Sequence, residues 1–298
     1  MSAAGTAARH PPITDFPARV ALVANPRSGP GVDRSELETE LRRAGAEVVS
    51  FGLDQFDQAA ACGVDRLVVA GGDGMLAPAA EAARTAGVPF ALVPTGTAND
   101  FARGAGLPLD PARACRLAVH GRRLRTLDLA RMDGRAFVNT ASIGLSVQAA
   151  DRAVPLKRVL GRFAYMLGAL RAGLTAAPVR CRITCDGDEL FAGKAWQAIV
   201  ANSGRFGAGS SLEEADPGDG LLDATVIPAS SRLRLPDYAY AMRTGTISRA
   251  GDARNVRGWR VRLEVPGQVA YNVDGEIVRH GSADFWVERA AAQIVLAE

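Results

Sequence analysis

Four short segments of this 298-residue chain combine glycine with hydroxyl or carboxylate side chains in the way that phosphate and cation chemistry requires. Ala70-Gly71-Gly72-Asp73-Gly74-Met75 puts three glycines in four positions, so backbone amides can approach a phosphate closely, and a helical pattern starting at Leu76 points its positive end at the same place. Asp73 is out of character for a pure anion cradle, because a carboxylate repels phosphate unless a cation lies between them. It argues for Mg2+-nucleotide, with a helix cap as the alternative reading. Pro94–Arg103 (P-T-G-T-A-N-D-F-A-R) adds the Thr97 hydroxyl, and Asn99 and Asp100 suit the cap of a following helix. Ala24–Gly31 (A-N-P-R-S-G-P-G) adds Asn25 and Ser28 as donors on a sharp turn. The fourth is split between Gly204–Gly209 and Ala215–Asp223, where carboxylates and carbonyls offer hard oxygen ligands to a divalent cation or form a solvated turn.

Other chemistries lack their residues. Lys157 and Lys194 are the only lysines among 35 basic residues, and neither sits in G-x-x-x-x-G-K-[ST] or V-A-I-K, which excludes a P-loop NTPase and a protein kinase. His10, His120 and His280 form no H-E-x-x-H pair, and the four cysteines lack zinc spacing. A net charge of +3 gives no reason to expect a nucleic-acid partner.

These loops need strands and helices to aim them. Residues 1–16 read as a poorly ordered tail, followed by strands at Val20–Ala24, Glu47–Phe51, Arg66–Ala70 and Phe90–Val93. Helical patterns at Arg34–Ala44, Gln55–Cys62, Leu76–Thr85 and Pro111–His120 alternate with them, which predicts a three-layer α/β domain over 17–124 with a parallel sheet. From 125 to 298 short strands separated by turns predict a β-rich, antiparallel, sandwich-like domain. Cys181 and Cys185 alternate with Val179 and Ile183 as the apolar face of one of these strands. Pro155–Leu174 is an amphipathic helical pattern with Lys157, Arg158 and Arg162 mainly off its apolar stripe, either packed on this domain or facing a membrane. The chain shows no run of about 18 apolar residues and no signal peptide, so a cytoplasmic location with reduced thiols is expected.

In their order, N-P-R-S-G (Asn25–Gly29), G-G-D-G (Gly71–Gly74), P-T-G-T-A-N-D-F-A-R (Pro94–Arg103), L-D-L-A (Leu127–Ala130), F-V-N-T-A-S-I-G (Phe137–Gly144), D-G-L-L-D (Asp219–Asp223) and V-D-G-E (Val273–Glu276) resemble the diacylglycerol kinase catalytic-domain family. These are the bacterial soluble lipid kinases related to sphingosine and ceramide kinases. The resemblance implies an ATP-dependent kinase acting on a diacylglycerol-like lipid alcohol, with its active site in a cleft and reversible contact with a membrane surface. A homodimer is a further expectation. By matching motif, Gly71, Gly72, Asp73, Gly74, Met75, Leu76, Ala77 and Thr97 hold the nucleotide, beside Asn25 and Ser28. Asp73, Asp100 and Asp128 organise the catalytic Mg2+; Asp219, with carbonyls of Asp216 and Leu221, holds a structural Mg2+. The chain departs from the family at Met75, where Thr is usual, at Ala77-Pro78, where Asn-Glu is usual, and at Phe51-Gly52-Leu53, where a Thr follows the second strand.

Phosphoryl transfer to an alcohol also needs a proton acceptor. With no histidine in a motif and lysine nearly absent, that group is expected to be a carboxylate. Asp274 and Glu276 flank the turn glycine Gly275, and the resemblance points to Glu276. Two alternatives stand beside the lipid kinase: an NAD kinase-like enzyme, which shares G-G-D-G, and a catalytically weak lipid-binding or regulatory relative, suggested by Met75 and Ala77.

Overall fold

The computed structural model describes residues 19–29, 32–145, 147, 177–206, 210–211, 215–244, 246–249 and 251–297. In chain order the first half runs β1 (Arg19–Ala24), α1 (Arg34–Arg43), β2 (Glu47–Phe51), α2 (Phe56–Ala61), β3 (Arg66–Gly71), a 3-10 turn (Asp73–Met75), α3 (Leu76–Ala86), β4 (Phe90–Pro94), α4 (Asp100–Gly104) and α5 (Pro111–His120). Strands β2, β1, β3 and β4 lie side by side and parallel. Both faces of this sheet are covered, which is why its inner strands read as unbroken apolar runs. Ala21, Val23, Leu67 and Val69 pack towards α2 and α3; Val20, Leu22, Val68 and Ala70 pack with Leu37 and Leu41 of α1 and Cys115 of α5.

The helix ends follow local chemistry. Asp33 caps α1 and Asp110 caps α5, where Pro111 takes the first helical position. Arg66, fully buried, donates to the carbonyls of Ala118 (2.7 Å), Val119 (3.1 Å) and Gly121 (2.5 Å) and so satisfies the end of α5.

The second half is antiparallel: β5 (Arg123–Met132), β6 (Arg135–Phe137), β7 (Thr140–Gly144), β8 (Val179–Cys185), β9 (Asp188–Ala201), β10 (Arg205–Phe206), β11 (Ser210–Ser211), β12 (Leu222–Pro228), α6 (Leu235–Thr244), β13 (Arg254–Gly258), β14 (Arg260–Glu264), β15 (Val269–Val273), β16 (Glu276–His280) and β17 (Ala283–Leu296). Cys181, Ile183 and Cys185 enter its core, and burial raises the pKa of both thiols to about 11. Helix α6 was not among the expected elements; Leu235 and Tyr238 bury it against Trp196, Ile199 and Ile227. The expected helix Pro155–Leu174 lies outside the described residues.

Strand β17 is far longer than the short strands expected of this half. It starts against β14, runs antiparallel along β5, and ends with Ile294 beside Phe90 of β4. The end of this strand therefore contributes Ile294, Val295 and Leu296 to the cores of the first half. One continuous strand joins the two halves, meeting the parallel sheet at Phe90, the first residue of β4.

Candidate active site

Loops leaving β1, β3 and β4 meet at the C-terminal edge of the parallel sheet, where open α/β sheets gather ligands. Asn25 N–H donates to the Ala70 carbonyl (2.9 Å) and Thr95 N–H to the Gly71 carbonyl (3.0 Å), tying the three loops together. Asn25 closes its own turn by accepting from Arg27 N–H (3.0 Å), and Ser28 is buried behind it. Two glycine positions have no room for anything larger. Gly29, at φ +60°, would place a Cβ 2.2 Å from the Thr95 carbonyl oxygen, and Gly96 would place one 2.5 Å from the Gly72 Cα. Gly74, by contrast, is exposed, and a Cβ there would meet nothing within 4 Å. The loops are thus packed against each other from behind and open in front, and the exposed Thr97 stands on the same rim. That opening, lined by backbone, fits a phosphate chain.

Met75, Leu76 and Ala77 turn their side chains into the core. Met75 lies against Gly71, whose Cβ would sit 2.4 Å from the Met75 Cγ. These three positions can offer a nucleotide only backbone groups, so the replacement of Thr by Met falls on the inner side of the loop. Leu53, on the loop after β2, is exposed.

Asp73 does cap a helix, but not the one that follows it in sequence. Its carboxylate accepts from the N–H groups of Asp100 (3.0 Å) and Phe101 (2.9 Å), at the start of α4. Asn99, in the left-handed region at φ 51°, makes no side-chain cap and instead donates to the Gly96 carbonyl (2.8 Å). Asp100 is buried next to Asp73. Asp128 lies in β5 and is also buried; one oxygen accepts from Gly220 N–H (2.6 Å), the other from Ala290 N–H (2.7 Å). No three acidic, histidine or cysteine side chains form a metal-ready cluster among the described residues. Asp73 and Asp128 each keep lone pairs beyond those bonds.

The second half reaches the site through the turn between β15 and β16. Asp274 and Gly275 both have positive φ (47° and 91°) and close a two-residue hairpin with Val273 opposite Glu276. The Asp274 carboxyl is half-buried and accepts N–H bonds from Val138 (2.7 Å), Asn139 (2.9 Å) and Thr140 (3.0 Å). Burial raises its pKa to about 6; the three N–H donors oppose that shift and the nearby charge of Asp73 adds to it. Glu276, the first residue of β16, projects outward with a side chain 66% exposed and pairs with Arg135 of β6. Sequence reasoning missed Arg135, since nothing in the spacing of residues 135 and 276 announces their contact.

The residues expected to hold a structural Mg2+ do not fit one. Arg125 pairs with the Asp216 carboxylate. Arg257 pairs with Asp219 and, through its Nε, with Asp223 (3.0 Å). The Asp216 carbonyl accepts from Asp219 N–H (3.3 Å), and Asp219 Oδ1 accepts from Leu221 N–H (2.9 Å).

The chain is similar to known proteins over most of its length. A family model described as the diacylglycerol kinase catalytic domain matches residues 19–132, and one described as the YegS C-terminal NAD kinase beta sandwich-like domain matches residues 139–296. A protein named Diacylglycerol kinase from Mycobacterium tuberculosis (strain H37Rv) is 29% identical over 294 residues, 93% of this chain and 94% of the relative. A protein named Probable lipid kinase YegS-like from Pseudomonas aeruginosa (strain PAO1) is 33% identical over 252 residues, 80% of this chain and 79% of the relative. Among solved structures, a diacylglycerol kinase from Bacillus anthracis shares the fold with a TM-score of 0.76 at 23% identity, over 95% of this chain and 98% of that one. An NAD kinase from Archaeoglobus fulgidus in complex with ATP reaches 0.53 at 15% identity, over 94% of each chain.

Proposed function

Because the chain belongs to the diacylglycerol kinase and YegS-like lipid kinase family, we propose that it transfers the γ-phosphate of ATP to the hydroxyl of a diacylglycerol-like lipid alcohol. The observation that carries this reading is the meeting of the glycine loops and Asp73 on one side with the Asp274–Glu276 turn on the other. Backbone amides of Gly71–Ala77, with Asn25, Ser28 and Thr97, hold the phosphates. Bound Mg2+-ATP supplies the phosphoryl group and a cation that offsets its charge. Asp73, Asp100 and Asp128 would hold that cation, and Asp73 at the same time fixes α4. Glu276 accepts the acceptor hydroxyl's proton on its carboxylate, and Arg135 beside it sets where that carboxylate points.

A lipid alcohol sits at a bilayer surface, and the protein reaches it by peripheral contact. No helix among the described residues is long and apolar enough to cross a membrane. Leu233 is 88% exposed and Tyr240 71% exposed at the start and middle of the α6 region. Residues 230–249 carry four arginines and one aspartate, a net +3, which favours an anionic bilayer. Helix α6 packs on the β10–β11 hairpin, which also touches α4, so this surface adjoins the site.

Transfer of labelled phosphate from ATP to a panel of lipid alcohols and to NAD tests the assignment. Labelling of a diacylglycerol-like lipid and none of NAD is expected. Labelling of NAD alone, or of nothing by folded protein, refutes it.

A further inference from the structure

The loop from Asp216 to Asp223 has the composition of a divalent-cation site and the structure of something else. Three carboxylates lie along it, and guanidiniums from two separate strands pair with them. Arg125 of β5 pairs with Asp216. Arg257 of β13 bridges Asp219 and Asp223 with two nitrogens of one guanidinium, its Nε reaching Asp223 at 3.0 Å. Arg289 of β17 donates to the Gly220 carbonyl (3.3 Å). A planar guanidinium satisfies two carboxylates at once, as a divalent cation would, without six or more oxygens brought into one shell.

The placement of Arg257 is built into the sheet. Asp223 of β12 stands directly opposite Arg257 of β13 in the antiparallel register, so the fold itself delivers the guanidinium to the loop. What the loop then does is specific. Gly220, in the left-handed region at φ +76°, donates its N–H to Asp128, and Asp128 donates its own N–H to the Pro217 carbonyl (2.7 Å). The loop grips Asp128 from both ends.

We propose that the Arg257 guanidinium, supported by Arg125, takes the place of a divalent cation in this loop. The loop, and the position of Asp128 that depends on it, are therefore independent of metal. Arg257 acts as a positioning residue. The inference stands on ion pairs within the chain and does not rest on which substrate is phosphorylated.

The test uses the full chain without nucleotide. Wild-type protein is passed through gel filtration, its metal content is measured, and its Tm is taken in EDTA and in millimolar Mg2+ or Ca2+. No retained metal and an unchanged Tm are expected. Arg257→Ala leaves Asp219 and Asp223 without their counter-charge; its Tm should fall by several degrees in EDTA and recover when Ca2+ or Mg2+ is added. A stoichiometric ion in the wild type, whose removal lowers Tm and which Asp219→Ala abolishes, overturns the proposal. So does an Arg257→Ala protein that keeps the wild-type Tm, or one whose lowered Tm no cation restores. If Arg257→Ala does not fold, the wild-type metal content and chelator response decide the matter alone.

Discussion

Asp73, at the end of the parallel sheet, lies close enough to Asp274, in the hairpin turn of the second half, for its charge to help raise the Asp274 pKa to about 6. Because that value lies above the ordinary 3.8, the native state holds the proton more tightly than the unfolded state between those limits. The stabilising contribution is full below about pH 4, falls as the pH rises, and is gone above about pH 6. Asp274→Asn, which cannot ionise, should therefore gain on the wild type as the pH is raised. Denaturant unfolding at about pH 4.5 and about pH 7.5 measures this, and parallel losses at the two values would show that Asp274 does not titrate in that interval.

Gly74 and Gly96 separate the approach of a ligand from the packing of the loops. A methyl group at Gly74 meets no protein atom, whereas one at Gly96 is driven into the Gly72 backbone. Gly74→Ala should keep the wild-type Tm while weakening ATP binding by about tenfold, an affinity change of about 1.4 kcal/mol. Gly96→Ala should lose both stability and binding. Calorimetric titration with Mg2+-ATP and thermal melts read the two quantities, and undiminished affinity in Gly74→Ala would remove this loop from the nucleotide site.

The parallel sheet was legible because its inner strands are buried on both faces and their residues are apolar without interruption, as in Leu67-Val68-Val69-Ala70. The loops were legible because close backbone approach demands glycine, whatever surrounds it. What spacing could not reveal were contacts between distant segments. Asp73 looked like a cap for the helix beside it and caps α4 instead, 27 residues on. The Asp219 loop looked open to a cation because Arg257, 38 residues away, is delivered to it only by strand pairing. The full length of β17 is hidden in the sequence because Arg289-Ala290-Ala291 breaks its alternation; Ala290 has φ 52° and the register with β5 shifts there. That irregularity turns the Ala290 N–H towards Asp128.

The α6 surface predicts how the protein meets a bilayer. Leu233→Ser together with Tyr240→Ser removes two exposed apolar side chains without touching the core, so the Tm should hold. Binding to vesicles containing anionic lipid should fall several-fold and activity on vesicle-borne acceptor with it, while activity on a short-chain soluble acceptor stays. Equal vesicle sedimentation of wild type and variant would move the docking edge elsewhere.

The choice of proton acceptor lies between Asp274 and Glu276, neighbours across one glycine with opposite environments. Asp274 spends its carboxylate on three backbone N–H groups that hold the start of β7, and it serves the turn. Glu276 makes one side-chain contact that fixes it, the pair with Arg135, and stays exposed where an incoming hydroxyl could meet it. A base has to be both reachable and aimed, which is why the proposal gives the proton to Glu276. Glu276→Gln, nearly the same shape, should therefore keep the Tm and the affinity for Mg2+-ATP and lower kcat by about 10²–10⁴-fold. Arg135→Ala leaves the carboxylate in place but unaimed, so it should lower kcat by about tenfold. Arg135→Lys, which keeps the charge on a shorter reach, should restore part of that loss. Asp274→Asn should instead show itself mainly in stability. If Glu276→Gln turns over at near the wild-type rate on a lipid that the wild type phosphorylates, and Asp274→Asn does not, the proton goes to Asp274, and its pKa near 6 becomes a catalytic property instead of a structural one.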